Sequence, residues 1–259
     1  MDDERSNRSP FWNEFDWEAH LNEIEKRSEQ LRKFITSDPK ENVPRWLSLL
    51  NDSSDELDAV ESFIEEELLF DEAYFPEDED DWEDEDDGDD DLDIFFSGDY
   101  EDYEDEEDED DDLYAGEEWK EYSGEYTFSD YGSIDNFEIY QRALDLSVDV
   151  LRWAESANRR AKTNPQLHEF VSAVLQVGAK LAGGYSFGFE LDVLGGNIAY
   201  TKKALYKANE ALNILYAMKK SPFMPDREYA SFSRRLFEIR NETGVYVQEL
   251  RDRIQQGFE

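Results

Sequence analysis

The sequence predicts an all-α protein in which an antiparallel, up-and-down four-helix bundle follows N-terminal helices and a long acidic disordered tract. Three observations support this prediction. Apolar residues recur at helical spacing in four stretches between residues 131 and 259. Short connections join these stretches, which favours antiparallel neighbours. Residues 71–112 hold 28 Asp or Glu among 42 positions and no Lys, Arg or His.

The excess negative charge lies in one half of the chain. The formal net charge of the 259 residues is −42. Residues 131–259 hold 17 Lys or Arg and 16 Asp or Glu, a net charge of +1, so residues 1–130 carry −43. Such asymmetry indicates a folded domain joined to an interaction arm. We divide the chain into an N-terminal helical segment (1–70), an acidic arm (71–130) and a four-helix bundle (131–259).

Composition restricts the kinds of partner and site. The chain has no cysteine, which excludes disulfides and thiolate metal sites and favours a cytoplasmic location. Its first residues lack the basic and apolar regions of a signal peptide, and no run approaches the roughly 18 apolar residues of a membrane span. At this negative charge, anionic membranes and nucleic acid repel the protein as a whole. We therefore expect a basic protein partner and no membrane association.

The first 70 residues predict three helical elements. Apolar residues at helical spacing run from residue 11 to residue 35, before Pro39. Residues 44–50 predict a helical turn that carries Trp46, and residues 57–70 predict an amphipathic helix. These elements are too few to form a core alone. We expect them to pack on the C-terminal domain or on a partner.

The acidic arm predicts a disordered binding segment. Its like charges cannot be offset by the apolar area available, while interleaved aromatic and acidic residues are typical of segments that bind partners. Its candidate partner-binding residues are Asp84, Asp86, Asp87, Asp89, Asp90, Phe95, Phe96, Glu106, Glu107, Asp108 and Trp119. Folding of some aromatic residues back onto the bundle is an alternative.

A calcium loop of the EF-hand type does not fit the acids around Gly88. With Gly88 at position 6, Glu83 occupies position 1, where Asp is usual. Ile94 then occupies position 12, which requires a bidentate Glu. We predict no metal site in the arm.

Four helices are predicted in the C-terminal half. The first covers about 135–158, the second runs from Asn164-Pro165 to Gly183-Gly184, the third covers about 188–219, and the fourth follows Pro222 and Pro225. Gly195-Gly196 lies inside the third stretch, at a cost of roughly 1 kcal/mol per glycine relative to alanine. That cost predicts close packing with a neighbouring helix or subunit, or a kink.

Basic side chains on the predicted bundle form a candidate patch. They follow the first helix and lie in the third and fourth: Arg159, Arg160, Lys162, Lys202, Lys203, Lys207, Arg234 and Arg235. An ordinary solvated surface is one interpretation. The other is a patch that either receives the acidic arm in cis or contacts a nucleic acid or an acidic protein partner.

The chain has few histidines, the residue type that most often acts as a general base, and no cysteine, a common catalytic nucleophile. The only histidines are His20 and His168. Neither lies in the Glu-x-x-His pattern that a di-iron site in a helical bundle needs. The glycine pairs follow no phosphate-binding pattern. We predict no enzymatic activity, no catalytic residue, no metal and no cofactor.

The four helices resemble the bundle proteins encoded in ribosomal-RNA intervening sequences and the accessory proteins of diversity-generating retroelements. Residues 137–146, which read Phe-Glu-Ile-Tyr-Gln-Arg-Ala-Leu-Asp-Leu, carry the resemblance. It continues in Lys180-Leu181-Ala182-Gly183-Gly184 and in the small residues Ala204, Ala208 and Ala211. The resemblance implies a non-enzymatic bundle that self-associates, in some relatives as pentamers, and binds nucleic acid or a reverse transcriptase through a basic surface.

Together these observations favour a non-catalytic interaction or adaptor protein. A self-associating helical bundle would present the acidic arm to a basic partner such as a nucleic-acid-binding protein. In one alternative the bundle binds RNA or a reverse transcriptase-like enzyme, and the arm is an autoinhibitory polyanion. In another the arm mimics nucleic acid as an inhibitor. Fully extended, residues 71–112 span roughly 140 Å, so their carboxylates lie about 5 Å apart, whereas a duplex carries one charge per ~1.7 Å.

Overall fold

The computed structural model describes residues 12–35, 43–72, 132–157 and 161–257. Regular structure in these ranges consists of seven α-helices and two short 3-10 turns, with no strand. The all-α prediction is therefore confirmed for this part of the chain. The acidic arm, predicted as a disordered tract, lies outside the described residues.

The helices divide into an N-terminal and a C-terminal set. The N-terminal helices are α1 (Glu14–Ile35), α2 (Arg45–Asp52) and α3 (Glu56–Glu72). The C-terminal helices are α4 (Glu138–Ser156), α5 (Pro165–Ser186), α6 (Leu194–Met218) and α7 (Asp226–Gly257). Side-chain caps fix several starts, because they satisfy backbone N–H groups that have no partner within the helix. Asn13 accepts from the N–H of Phe15 at 2.8 Å, and Asn164 accepts from the N–H of Gln166 at 2.9 Å.

The four C-terminal helices bury a common apolar core. Helix α5 contacts α4 and α6, and α7 contacts the same two helices. Trp153, Phe170 and Phe232 form an aromatic centre, with ring centroids 6.2 Å apart for Trp153 and Phe170 and 5.6 Å apart for Trp153 and Phe232. Ala204 and Ala208 of α6 are fully buried, so their small side chains let neighbouring helices approach closely.

The N-terminal helices pack on this core, which is one of the two arrangements expected from the sequence. Helix α3 contacts α4 and α5, while α1 contacts α6 and α3. Trp46, Val60, Phe63 and Ile64 are buried in the same cluster as the C-terminal apolar residues. Both sets of helices accordingly belong to one compact unit.

Two predicted helix boundaries are wrong. Helix α5 continues through Gly183-Gly184 and ends at Ser186, while α6 begins at Leu194, not near residue 188. A Cβ atom on Gly183 would lie 2.9 Å from the ring of Tyr200, and one on Gly184 would lie 2.9 Å from Oγ1 of Thr201. The glycines therefore serve a close crossing of α5 and α6 and do not end the helix.

None of the described helices combines the length and the apolar composition that crossing a bilayer requires.

Candidate functional site

Helix α1 places three carboxylates on one face. Glu18 and Glu25 follow Glu14 by four and eleven positions, which puts the three within about 40° of one another around a helix of 3.6 residues per turn. Asn13 caps the helix directly before Glu14. Because α1 packs on α6, this acidic face meets basic side chains of α6 and of the C-terminal end of α7.

Arg251 of α7 holds the first carboxylate with a bidentate pair of hydrogen bonds. Its Nε donates to Oε2 of Glu14 at 2.9 Å and its Nη2 donates to Oε1 at 2.7 Å. The Nζ of Lys202 lies 3.6 Å from the same carboxylate. The hydrogen bond from Arg251, opposed by burial and aided by the charges of Arg251 and Lys202, lowers the pKa of Glu14 below its ordinary value.

Lys202 links two acidic residues of α1 to α6. Besides Glu14, its Nζ donates to Oε2 of Glu18 at 2.5 Å. The same ammonium lies 5.3 Å from the ring centroid of Phe15, within the range of a cation–π contact. Only 13% of the Lys202 side chain is exposed, so α1 covers most of this basic residue.

Lys203 holds the third carboxylate. Its Nζ donates to Oε2 of Glu25 at 2.6 Å and to Oδ1 of Asn22 at 2.9 Å. Burial alone would raise the pKa of Glu25, but the hydrogen bond and charge of Lys203, with the charges of Lys180 and Lys207, hold that pKa below its ordinary value. The Lys203 side chain is 8% exposed. We call Lys202, Lys203 and Arg251, together with Gly195 and Phe187, the α1-binding surface.

Aromatic packing and one glycine complete the α1-binding surface. The rings of Trp17 and Phe187 meet edge to face, with centroids 5.0 Å apart, and Trp12 lies 4.9 Å from Trp17. A Cβ on Gly195 would lie 3.0 Å from both the carbonyl oxygen of Trp12 and Cδ1 of Trp17. A Cβ on Gly196 would lie 2.5 Å from the ring of Phe187. Of the alternatives expected for Gly195-Gly196, close packing with a neighbouring helix is the one that the structure shows.

Both histidines pack against tryptophans of the N-terminal segment. The ring centroid of His20 lies 5.1 Å from that of Trp12, and the centroid of His168 lies 5.9 Å from that of Trp46. Burial lowers the pKa of His168, against a smaller opposing effect of a hydrogen bond to the backbone of Lys162. In the described ranges, no group of three or more His, Asp or Glu side chains is placed to hold a metal ion.

The structure does not gather the predicted basic residues into one open patch. Lys202 and Lys203 lie under α1. Lys207 pairs with Glu210 of its own helix at 3.0 Å. Arg235 of α7 donates to Asp149 of α4 at 2.5 Å, and Arg234 is exposed.

Lys162 of the candidate basic patch lies in the short 3-10 turn Ala161–Thr163. The remaining predicted site residues lie outside the described residues. These are Arg159 and Arg160 of the candidate basic patch, and the arm residues Asp84, Asp86, Asp87, Asp89, Asp90, Phe95, Phe96, Glu106, Glu107, Asp108 and Trp119. Their binding roles remain predictions.

The residues of the site that sequence reasoning missed include Glu14, Glu18, Glu25, Phe187 and Arg251. The recurrence of Glu at the first, fifth and twelfth positions of α1 was a readable signal, because it marks a second face beside the apolar one. Arg251 carried no such signal. It lies 237 positions from the carboxylate that it binds.

No protein-family model, curated protein sequence or solved structure matches the chain.

Proposed function

We propose that the protein is a non-catalytic interaction protein whose helical bundle presents the acidic arm to a basic protein partner. In this proposal α4–α7 form an antiparallel, up-and-down bundle that self-associates. The supporting observation is the internal neutralisation of the candidate basic patch. Lys202, Lys203, Lys207 and Arg235 each contact a carboxylate of the same chain, so these four cations are already engaged.

The carboxylates of Glu14 and Glu25 favour a structural role of this site over a catalytic one. Glu14 and Glu25 have lowered pKa values because cations of α6 and α7 bind them. A general acid or base at neutral pH needs its pKa moved toward 7. The pKa values of Glu14 and Glu25 are shifted away from 7, which is typical of carboxylates that hold one helix against another.

The charge of the chain selects a basic partner. Residues 1–130 carry −43, and a field of this sign accelerates encounters with basic proteins and repels nucleic acid. The attraction is screened within about 8–10 Å at physiological salt. Aromatic anchors such as Phe95, Phe96 and Trp119 would then supply the salt-resistant part of the binding free energy.

The test measures the binding of three chains, each of which keeps the helical domain, to a panel of purified basic nucleic-acid-binding proteins and to poly-L-lysine. They are the native chain, a chain lacking residues 71–112, and a chain with Phe95→Ser, Phe96→Ser and Trp119→Ser. Binding is titrated at low and physiological salt. The deletion is expected to abolish binding to both kinds of probe.

The serine variant separates a specific partner from a general polyanion effect, because it keeps every arm charge. We expect it to bind poly-L-lysine like the native chain and to bind a specific partner at least about tenfold more weakly. Retained partner binding after the deletion would remove the arm from the proposed function. Circular dichroism of each chain shows whether the helices still fold.

A further inference from the structure

We propose that the α1-binding surface is a docking site for an acidic amphipathic helix of another protein, with α1 as its intramolecular occupant. This inference goes beyond the proposed function, because it concerns a surface of α6 and α7 and not the acidic arm. The described contacts give the charge pattern, the backbone approach and the apolar anchors that such a helix needs.

Charge complementarity defines the first requirement. Arg251, Lys202 and Lys203 receive carboxylates that lie on one face of α1. At a rise of about 1.5 Å per residue, Glu14, Glu18 and Glu25 lie about 6 Å and about 10 Å apart along the helix axis, so the three cations meet carboxylates spaced about 8 Å apart on average. A DNA duplex carries one charge per ~1.7 Å and a single strand one per ~3.4 Å. The spacing therefore matches an acidic helix better than a nucleic acid.

The cations are covered by α1 itself. Lys202 and Lys203 are 13% and 8% exposed, and Arg251 is 37% exposed. Flexible carboxylate side chains of α1 reach all three cations. Gly195 also admits the backbone at the start of the helix, since a Cβ there would lie 3.0 Å from the carbonyl oxygen of Trp12.

Apolar anchors complete the pattern that the surface accepts. Leu21 and Ile24 are buried as α1 packs on α6 and α3, and Trp17 contacts Phe187. Read along α1, the pattern is Glu-x-x-Trp-Glu-x-x-Leu-x-x-Ile-Glu, from Glu14 to Glu25. A helix-in-groove partner is recognised by anchors at this kind of spacing.

The fit of α1 is incomplete, which leaves room for a competing helix. The buried Nε1 of Trp17 has no hydrogen-bond partner among the described residues, and an unsatisfied buried donor carries a desolvation penalty. Phe15 is 67% exposed and Trp12 is 44% exposed. Because α1 is tethered, it competes at an effective concentration in the millimolar range. A partner helix must overcome that competition, so α1 sets the affinity threshold for entry.

The experiment weakens α1 within the full chain and supplies the occupant in trans. The variant carries Glu14→Gln, Glu18→Gln and Glu25→Gln, which keep helix propensity while removing the three charges. The probe is a fluorescein-labelled peptide of residues 12–35, followed by fluorescence anisotropy. A peptide of the same composition in scrambled order is the control, and circular dichroism shows whether each chain is folded.

We expect the peptide to bind the glutamine variant roughly tenfold or more tightly than the native chain, in which α1 occupies the surface. Adding Lys202→Glu and Lys203→Glu to that variant should weaken binding at least about tenfold, because the matching cations become repulsive. The scrambled peptide should bind at least about tenfold more weakly than the native-sequence peptide, because scrambling removes the spacing of the apolar anchors.

Several results would overturn the proposal. One is equal affinity of the peptide for the native chain and for the glutamine variant. Another is peptide binding that is unchanged by the charge reversal at Lys202 and Lys203 or by scrambling of the peptide. Binding of a 20-nucleotide RNA in place of the peptide would reassign the surface to nucleic acid. A dimer formed by exchange of α1 between copies would reassign it to a second copy. All chains keep the acidic arm, so failure here is separate from failure of the arm to bind a basic partner.

Discussion

Replacing Arg251 with Met should release α1, whereas the matched change Arg27→Met should not. Both arginines pair with a glutamate of α1: Arg251 with Glu14 at 2.7 Å and Arg27 with Glu23 at 2.6 Å. The two pairs differ in burial and in what they join. Glu14 is 12% exposed and its pair links α1 to α7. Arg27 and Glu23 are 60% and 63% exposed, and their pair lies within α1.

The expected magnitudes follow from that difference. An exposed pair four residues apart on a helix contributes about 0.3–0.5 kcal/mol. Removing one partner of a fully buried pair costs about 3–5 kcal/mol. Arg251 is 37% exposed and Glu14 retains Lys202 at 3.6 Å, so we expect about 2 kcal/mol for Arg251→Met. At 1.36 kcal/mol per factor of ten, this is about a 30-fold rise in the population with α1 open.

Hydrogen–deuterium exchange of the α1 backbone amides measures this opening directly. Exchange of residues 14–27 should accelerate about 30-fold in Arg251→Met and about twofold in Arg27→Met. Amides of α5 serve as the internal control and should be unchanged in both. Equal exchange of α1 in the two variants would refute the conclusion that the Glu14–Arg251 pair fastens this helix.

Three further predictions concern pH and backbone packing. The pKa values of Glu14 and Glu25 are lower in the folded chain than their unfolded value of about 4.5. The stabilisation that these two carboxylates contribute is therefore present above pH 4.5 and is lost as the pH falls through their folded pKa values. Tryptophan fluorescence should report the release of α1 in acid. Gly244→Ala, whose Cβ meets nothing within 4 Å, should raise stability by about 1 kcal/mol in thermal unfolding, whereas Gly195→Ala, whose Cβ meets α1 at 3.0 Å, should give no such gain. Burial, and then neighbouring carboxylates, raise the pKa of Tyr140 to about 12. The stabilising contribution of Tyr140 should therefore fall as pH rises from about 10 to 12. In a titration followed by phenolate absorbance, Tyr140 should ionise at a higher pH than an ordinary tyrosine, and Tyr140→Phe should remove that late step.

Hydrophobic periodicity predicted most of the helices because apolar residues at helical spacing mark the faces that they bury. The predicted helix at about 135–158 corresponds to α4 (Glu138–Ser156). The predicted helix end at Gly183-Gly184 was wrong for a physical reason. Glycine has a low helix propensity, so local reasoning ends the helix there. Contact with Tyr200 and Thr201 of α6 favours continuation, and that contact is invisible in the local sequence.

The candidate basic patch shows that local sequence does not predict which charged side chains pair with one another. The sequence located Lys202 and Lys203 at positions that α6 places side by side, but it did not supply their partners. Surface pairing depends on which helices meet, and no spacing rule connects Glu14 with Arg251 across 237 positions. Exposure could not be predicted either, since the lysines are covered by a helix that precedes them by about 180 residues.

By itself, the sequence determined the all-helical character, the uneven charge and the positions of most helical segments. These properties depend on composition and on short-range periodicity, which every local stretch carries. Only the tertiary structure decided that α1 covers the basic residues of α6, that Gly183-Gly184 serves a helix crossing, and that Arg251 belongs to the site. Those outcomes depend on contacts between distant segments, where burial and the pairing of opposite charges outweigh local propensity.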